Sequence, residues 1–74
     1  MMPQHTIPDN ATIDAFLALP MVQRGEHLHQ MTPTRRVAYA VAVGRRDGRA
    51  PYRVLDTFAA WMQVYLNSLQ EVQA

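Results

Sequence analysis

The sequence predicts an all-α fold in which three short helices pack on one long C-terminal helix, and we expect this unit to form a homodimer. Apolar residues recur at the three- and four-residue spacing of amphipathic helices along most of the chain. Proline and helix-capping residues divide this pattern into short segments as far as residue 50. From Pro51 to about Gln73 nothing interrupts the pattern, so the last helix reaches 23 residues, or roughly 34 Å.

The composition describes one small globular domain. The chain has 74 residues, of which 49% are hydrophobic, and it contains no Cys. A chain of this length buries only about 60% of the surface that its unfolded form exposes, so a second copy or a partner protein is the expected additional source of stability. We expect a flexible N-terminal arm over residues 1–8, which contain two Pro and no periodicity, and a single helical domain over residues 9–74.

The first two helices are predicted from caps and apolar spacing. Asp9, Asn10 and Thr12 are good N-cap residues, and the apolar positions that follow them predict a helix over about 11–19. Pro20 then suits the first turn of a new helix, which we predict from Met21 to about Gln30. Gly25 disfavours that helix, but on its inner face it would allow a close helix contact.

The third helix has a competing interpretation as a β-hairpin. Thr32 and Pro33 form a cap followed by proline at the first helical position. Valine and tyrosine also alternate with alanine from Val37 to Val43, so residues 34–54 could form two strands instead. Pro51 would remove a hydrogen bond from the returning strand, which favours helix. In the helical interpretation Gly44 ends the helix, and Gly44–Ala50 is an exposed loop.

The fourth helix is apolar over more of its circumference than one contact face needs. Six residues follow a 3-4-3-4-3 spacing and Trp61 widens the stripe, which predicts burial of this helix on both sides. We expect the first two helices to cover one side and a second copy of the chain to cover the other. The predicted dimer interface consists of Leu55, Phe58, Trp61, Met62, Tyr65, Leu69 and Val72.

The sequence offers no motif for catalysis or for binding a cofactor or metal. His27 and His29 are two residues apart, so on a helix they point in nearly opposite directions. No carboxylate has a recognisable spacing from a His or a nucleophile, and the three Gly form no phosphate-binding loop. We therefore expect neither an enzyme nor a cofactor. The longest apolar run has seven residues, against roughly 20 for a membrane span, so we expect a cytoplasmic protein with no membrane partner.

An arginine cluster is the one charge asymmetry in the chain. Six of the seven basic residues lie between Arg35 and Arg53, although the formal net charge is only +1. The cluster could be a solvated surface with local ion pairs, a site for an acidic protein surface, or a clamp for nucleic-acid phosphates. A helix-turn-helix regulator is the alternative function, but the predicted seven-residue connection exceeds that motif's 3–4 residues and the fourth helix is too apolar for recognition.

Tyr39 is the aromatic residue that we place in the partner site. It follows Arg35 and Arg36 by four and three positions, so the three can share a helix face and form a binding hot spot. In the other interpretation Tyr39 packs inward with its hydroxyl at the rim. The predicted partner-binding residues are Arg35, Arg36, Tyr39, Arg45, Arg46 and Arg49.

In size, arginine-only basic usage and helical build, the chain resembles the small accessory proteins of temperate bacteriophages. These include anti-activators that bind and disable host transcription factors. The resemblance implies stoichiometric binding and inhibition of a host protein, without turnover, in the host cytoplasm.

Overall fold

The chain folds into helices joined by short turns. The computed structural model describes residues 6–73, with side chains as far as Glu71, and its helices are α1 (Asn10–Leu17), α2 (Met21–Gln30), α3 (Pro33–Asp47) and α4 (Pro51–Gln73). No strand occurs within residues 6–73, which confirms the all-α class and shows that the hairpin interpretation of residues 34–54 is wrong.

The arm predicted over residues 1–8 falls mostly on residues 1–5, which lie outside the described part of the chain. Of the residues that follow, Ile7 is half-buried and packs against the hydrophobic core. The segment before α1 is therefore in contact with the domain from Ile7 onward.

Side-chain caps begin α1 and α3 at the predicted places. The Asp9 carboxylate accepts a hydrogen bond from the backbone N–H of Thr12 at 2.8 Å, and this bond lowers the pKa of Asp9 below its ordinary value of 3.8. The Thr32 hydroxyl accepts from the N–H of Arg35 at 3.2 Å, with Pro33 as the first helical residue. α1 ends at Leu17, two residues earlier than predicted.

The predicted end of α3 is wrong. The helix continues through Gly44 to Asp47 and ends at Gly48, whose φ of 69° is in the left-handed region. The N–H groups of Gly48 and Arg49 both donate to the carbonyl oxygen of Gly44, the latter at 2.9 Å. The connection to α4 is consequently three residues long, not seven.

α2 and α3 both pack on α4, and α1 packs on α3. Arg24 lies over Trp61 while His29 lies against Tyr65, so contacts advance in the same direction along α2 and α4 and the two helices run parallel. After the three-residue turn, α4 runs back antiparallel to α3. We expected the first two helices to cover α4, but α3 takes the place of α1. It is buried along one face, at Ala38, Tyr39, Ala40, Ala42, Val43 and Gly44.

Gly25 brings α2 unusually close to α4, as the sequence suggested. A Cβ built on Gly25 would overlap the backbone carbonyl oxygen of Trp61 and crowd the Tyr65 side chain. The two helices therefore meet backbone against backbone at this point, a geometry that a residue with a side chain does not permit.

The core is rich in aromatic contacts centred on Phe16. Its ring lies edge-on to Tyr39 at 5.3 Å and to Phe58 at 5.8 Å between ring centroids, and it lies 6.2 Å from Trp61. This single residue of α1 thus joins α3 and α4. The fully buried large side chains are Phe58, Ile13, Leu28 and Val54.

Candidate interaction surfaces

Tyr39 is a core residue and not an exposed hot spot. Only 3% of it is exposed, because its ring packs against Phe16 and lies 6.3 Å from the ring of His27. The inward interpretation is therefore the correct one, and Tyr39 is not available to a partner. Arg35 is exposed and lies over the Tyr39 ring at 5.6 Å, so it covers the outer edge of this buried aromatic residue.

Arg36 is engaged within the chain and is not free for a partner. Its guanidinium turns back and donates to the carbonyl oxygen of Met31 at 3.0 Å, and its Nε atom is buried without a hydrogen-bond partner in the structure. The side chain thus ties the start of α3 to the end of α2. This position is structural, unlike the free guanidinium that the sequence led us to expect.

The arginine cluster divides into two groups at opposite ends of α3. Arg35 and Arg36 lie in its first turn, and Arg45 lies ten residues later, or about 15 Å along the axis. Arg46 forms an ion pair with Asp14 at 2.6 Å, which links α1 to the end of α3. The structure therefore forms no single patch from the six residues.

At the second end, Arg49 and Arg45 differ in their surroundings. Arg49 donates to the Thr57 hydroxyl at 2.9 Å, which braces the turn against α4. Arg45 is exposed and has no ion-pair partner among residues 6–73. Of the predicted set, Arg35 and Arg45 keep the most accessible charge.

An apolar groove along α3 was not predicted. It has a volume of about 370 Å³ and is lined by Ile7, Thr34, Val37, Ala38 and Val41. We call it the α3 groove. Val37 is 45% exposed in it, and Arg45 follows Val41 by one helical turn. A second depression of about 480 Å³ shares Ile7 and continues to Arg45 and Arg46.

The structure separates the predicted dimer residues into two groups. Phe58 is fully buried, so its assignment to the interface is wrong. Trp61 and Tyr65 are half-buried within the chain, Trp61 against Phe16 and beneath Arg24, and Tyr65 against His29. Leu69 is exposed, whereas Leu55 and Met62 are half-buried and pack against the hydrophobic core. The side chain of Val72 lies outside the described residues.

One side of α4, next to the face that packs on the core, carries a regular apolar stripe. Six residues lie at 3-4-3-4-3 spacing, and the two at its ends, Tyr52 and Leu69, are 63% and 41% exposed. We call this set the α4 stripe, and its members are Tyr52, Leu55, Ala59, Met62, Leu66 and Leu69. The sequence contained this spacing, but the inner residues Phe58 and Tyr65 concealed it because they belong to an adjacent apolar stripe.

No side-chain cluster within residues 6–73 has the composition of a metal site. No group of three or more His, Asp or Glu side chains comes together there. His27 lies 5.8 Å from the Phe16 ring, whereas His29 lies 5.7 Å from the Tyr65 ring, so the two histidines face different neighbours. No helix in this part of the chain is both long and apolar enough to cross a membrane.

Comparisons with protein-family models, curated proteins and solved structures found no match for this chain.

Proposed function

We propose that this protein is a small, non-catalytic interaction module that forms a homodimer through the α4 stripe and binds a partner protein through the α3 groove. The observation that carries the proposal is the α4 stripe, a regular apolar surface that the rest of the chain covers only in part: Leu55 and Met62 are half-buried against the core, and Tyr52 and Leu69 are exposed. A stripe of this spacing is the usual contact surface of paired helices.

The free energy of burial supports self-association. Full burial of one large apolar side chain contributes roughly 1.5–3 kcal/mol, which is a large fraction of the stability of a small domain. The stripe contains several such side chains that are exposed or half-buried in the single chain. A second copy of the chain supplies the same surface, so the two stripes can bury each other without any other component.

The chemistry of the α3 groove defines the kind of partner protein. Val37 and Val41 line the groove, and Arg45, one helical turn after Val41, lines the adjoining depression and forms no ion pair within residues 6–73. A segment with apolar side chains followed by an acidic residue is complementary to this arrangement. In keeping with the resemblance to phage accessory proteins, the proposed partner is a host protein, such as a transcription regulator, that is inhibited by stoichiometric association.

Self-association is tested by sedimentation of the wild-type protein and two variants. We expect a dimer at tens of micromolar concentration for the wild type and a folded monomer for Leu69→Asp, because this exposed position tolerates a charge in the monomer but not in an apolar interface. Ala60→Asp is the control, since Ala60 is exposed on a different side of α4. A monomeric wild type would contradict the dimer.

The α3 groove is tested with two valines of similar exposure. Val37 in the groove is 45% exposed and Val22 on α2 is 41% exposed. We expect Val37→Asp to weaken at least tenfold the capture of a host protein that is still bound after nuclease treatment. Val22→Asp should still capture that protein, and circular dichroism should show that both variants are folded. Equal capture by both would remove the groove from the proposal.

A second candidate function is a helix-turn-helix regulator that binds DNA. The three-residue connection between α3 and α4, which contains Gly48, has the length typical of that motif. The end of α3 that carries Arg45 and Arg46 would then bind duplex DNA. In that case a plot of log affinity against log salt concentration should fall with a slope of about 0.9 for each phosphate contacted, and Arg45→Ala should reduce that slope. Our proposal predicts no retardation of duplex DNA at physiological salt.

A further inference from the structure

We propose that residues 6–8, which we call the strap, close the middle of one continuous partner-binding face on α3 and must be released before the partner binds. This inference rests on the proposed function and adds its regulation. The side chain that closes the face is Ile7, which is half-buried and packs against the hydrophobic core.

The α3 groove and the second depression are two parts of one helix face. Their α3 residues follow each other at alternating intervals of three and one, which places them all on the same side of the helix. They are Thr34, Val37, Ala38, Val41, Ala42, Arg45 and Arg46. The face is about 18 Å long. Ile7 lines both parts, so the strap lies at the boundary between them.

Two alanines on α3 make room for the strap. Ala38 and Ala42 are one helical turn apart, and both are buried. Ile7 lines the α3 groove together with Ala38, and it lines the second depression together with Ala42. Departure of the Ile7 side chain would therefore join the two depressions into a single groove.

The strap is attached to α3 less firmly than α1 is attached to the domain. Within residues 6–73, no hydrogen bond joins Ile7 or Pro8 to α3. Hydrogen bonding to α1 starts at Asp9, whose carboxylate accepts from the N–H of Thr12 at 2.8 Å. A segment held by apolar contact of a half-buried side chain opens at a lower free energy than the core does. The strap can therefore leave α3 while α1 stays capped and docked.

A partner segment that follows this face meets the strap. The proposed segment contacts Val37 and places its acidic residue at Arg45, eight residues later on α3, or about 12 Å along the axis. Val37 and Arg45 line different depressions, and Ile7 lies between these two depressions. Binding then requires an open strap, and the apparent affinity is reduced by the fraction of molecules in which the strap is closed.

Thiol labelling measures the release of the strap without any partner, because the chain contains no Cys. Ala42→Cys places a thiol beneath the strap, whereas Ala40→Cys places one in the fully buried core of the same helix. We expect iodoacetamide to label the Ala42→Cys protein at least tenfold faster than the Ala40→Cys protein. Adding Ile7→Ser should raise the rate at position 42 by a further factor of about three to ten and leave the rate at position 40 unchanged.

Two labelling results would overturn the inference. An unchanged rate at position 42 in the Ile7→Ser protein would show that Ile7 does not cover this part of α3. An equal rise at positions 42 and 40 would show that Ile7 supports the whole fold and that the strap does not open separately.

Capture of the host protein distinguishes a competing strap from a residue that contacts the partner. We expect Ile7→Ser to strengthen capture about three- to tenfold, and Ile7→Val, the control that keeps an aliphatic side chain, to leave capture unchanged. Weaker capture by Ile7→Ser would make Ile7 part of the binding surface and overturn the strap while leaving the proposed function intact. Equal capture by Val37→Asp and Val22→Asp would overturn the proposed use of the α3 groove and the regulation by the strap together.

Discussion

Gly25 determines how closely α2 approaches α4. Gly25→Ala introduces a methyl group where the Trp61 carbonyl oxygen lies, and neither helix backbone can yield locally. Overpacking of this kind typically costs about 1–3 kcal/mol, which outweighs the roughly 1 kcal/mol that alanine gains over glycine in a helix.

We therefore expect Gly25→Ala to lower the free energy of unfolding by up to about 2 kcal/mol, measured by urea denaturation. Glu26→Ala is the matched control, because Glu26 is the exposed neighbour on the same helix. A Gly25→Ala protein more stable than the wild type would show that the helices separate at this point in solution.

Asp9 makes the start of α1 sensitive to acid. Its pKa is lowered in the folded protein by the hydrogen bond from the Thr12 N–H, so the ionised carboxylate stabilises the fold above the unfolded pKa near 3.8. This stabilisation is lost as the pH falls through the lower folded pKa. Melting curves should show Asp9→Ala less stable than the wild type at neutral pH, with the difference shrinking below about pH 4. Asn10→Ala should show no such pH-dependent difference.

At the scale of the elements, the end of α3 depends on two glycines with different functions. Gly48 has the left-handed φ of 69°, and a Cβ there would meet nothing within 4 Å. Gly48→Ala should therefore cost only the conformational penalty of about 1–2 kcal/mol, and Gly48→Asn less. Gly44→Ala should cost more, because its Cβ would overlap the carbonyl oxygen of Arg49. The reverse order in urea denaturation would place the helix end at Gly44.

The beginnings of the helices were predictable and one of the ends was not. Asp9, Thr32 and the prolines act through bonds within a few residues, so local sequence predicts where α1 and α3 start. Gly44 and Gly48 are both suitable helix terminators, and the helix continues through Gly44 where this residue lies close to Val54 of α4. That contact connects residues from different helices, so periodicity within α3 could not reveal it.

The exposure of individual residues was likewise predictable where it depends on local spacing and not where it depends on contacts between helices. Leu69 is exposed and Leu55 and Met62 are half-buried against the core, and their place in a dimer interface stays a prediction. The burial of Tyr39 and Phe58 depends on where Phe16 of α1 docks, which no local pattern encodes. The alternation of Val37 and Val41 with alanine is typical of a strand, so the sequence did not predict the helical groove that these two residues line.

At the scale of the whole molecule, dimerisation should make stability depend on protein concentration. Because association stabilises the folded state by mass action, each tenfold rise in concentration should raise the wild-type Tm by about 3–6 °C. Differential scanning calorimetry measures this directly. Leu69→Asp should melt at one temperature throughout, whereas a concentration-independent Tm for the wild type would be evidence of a monomer.

The three-residue connection between α3 and α4 also has a kinetic consequence. Closing so short a loop carries a small entropic cost, so α3 and α4 can find each other early and form a helical hairpin from contacts that are near in sequence. α2 must then dock on α4 through contacts that are distant in sequence, with Gly25 against Trp61. We expect Gly25→Ala to accelerate unfolding far more than it slows folding, whereas substitutions at the buried Val54 should slow folding itself.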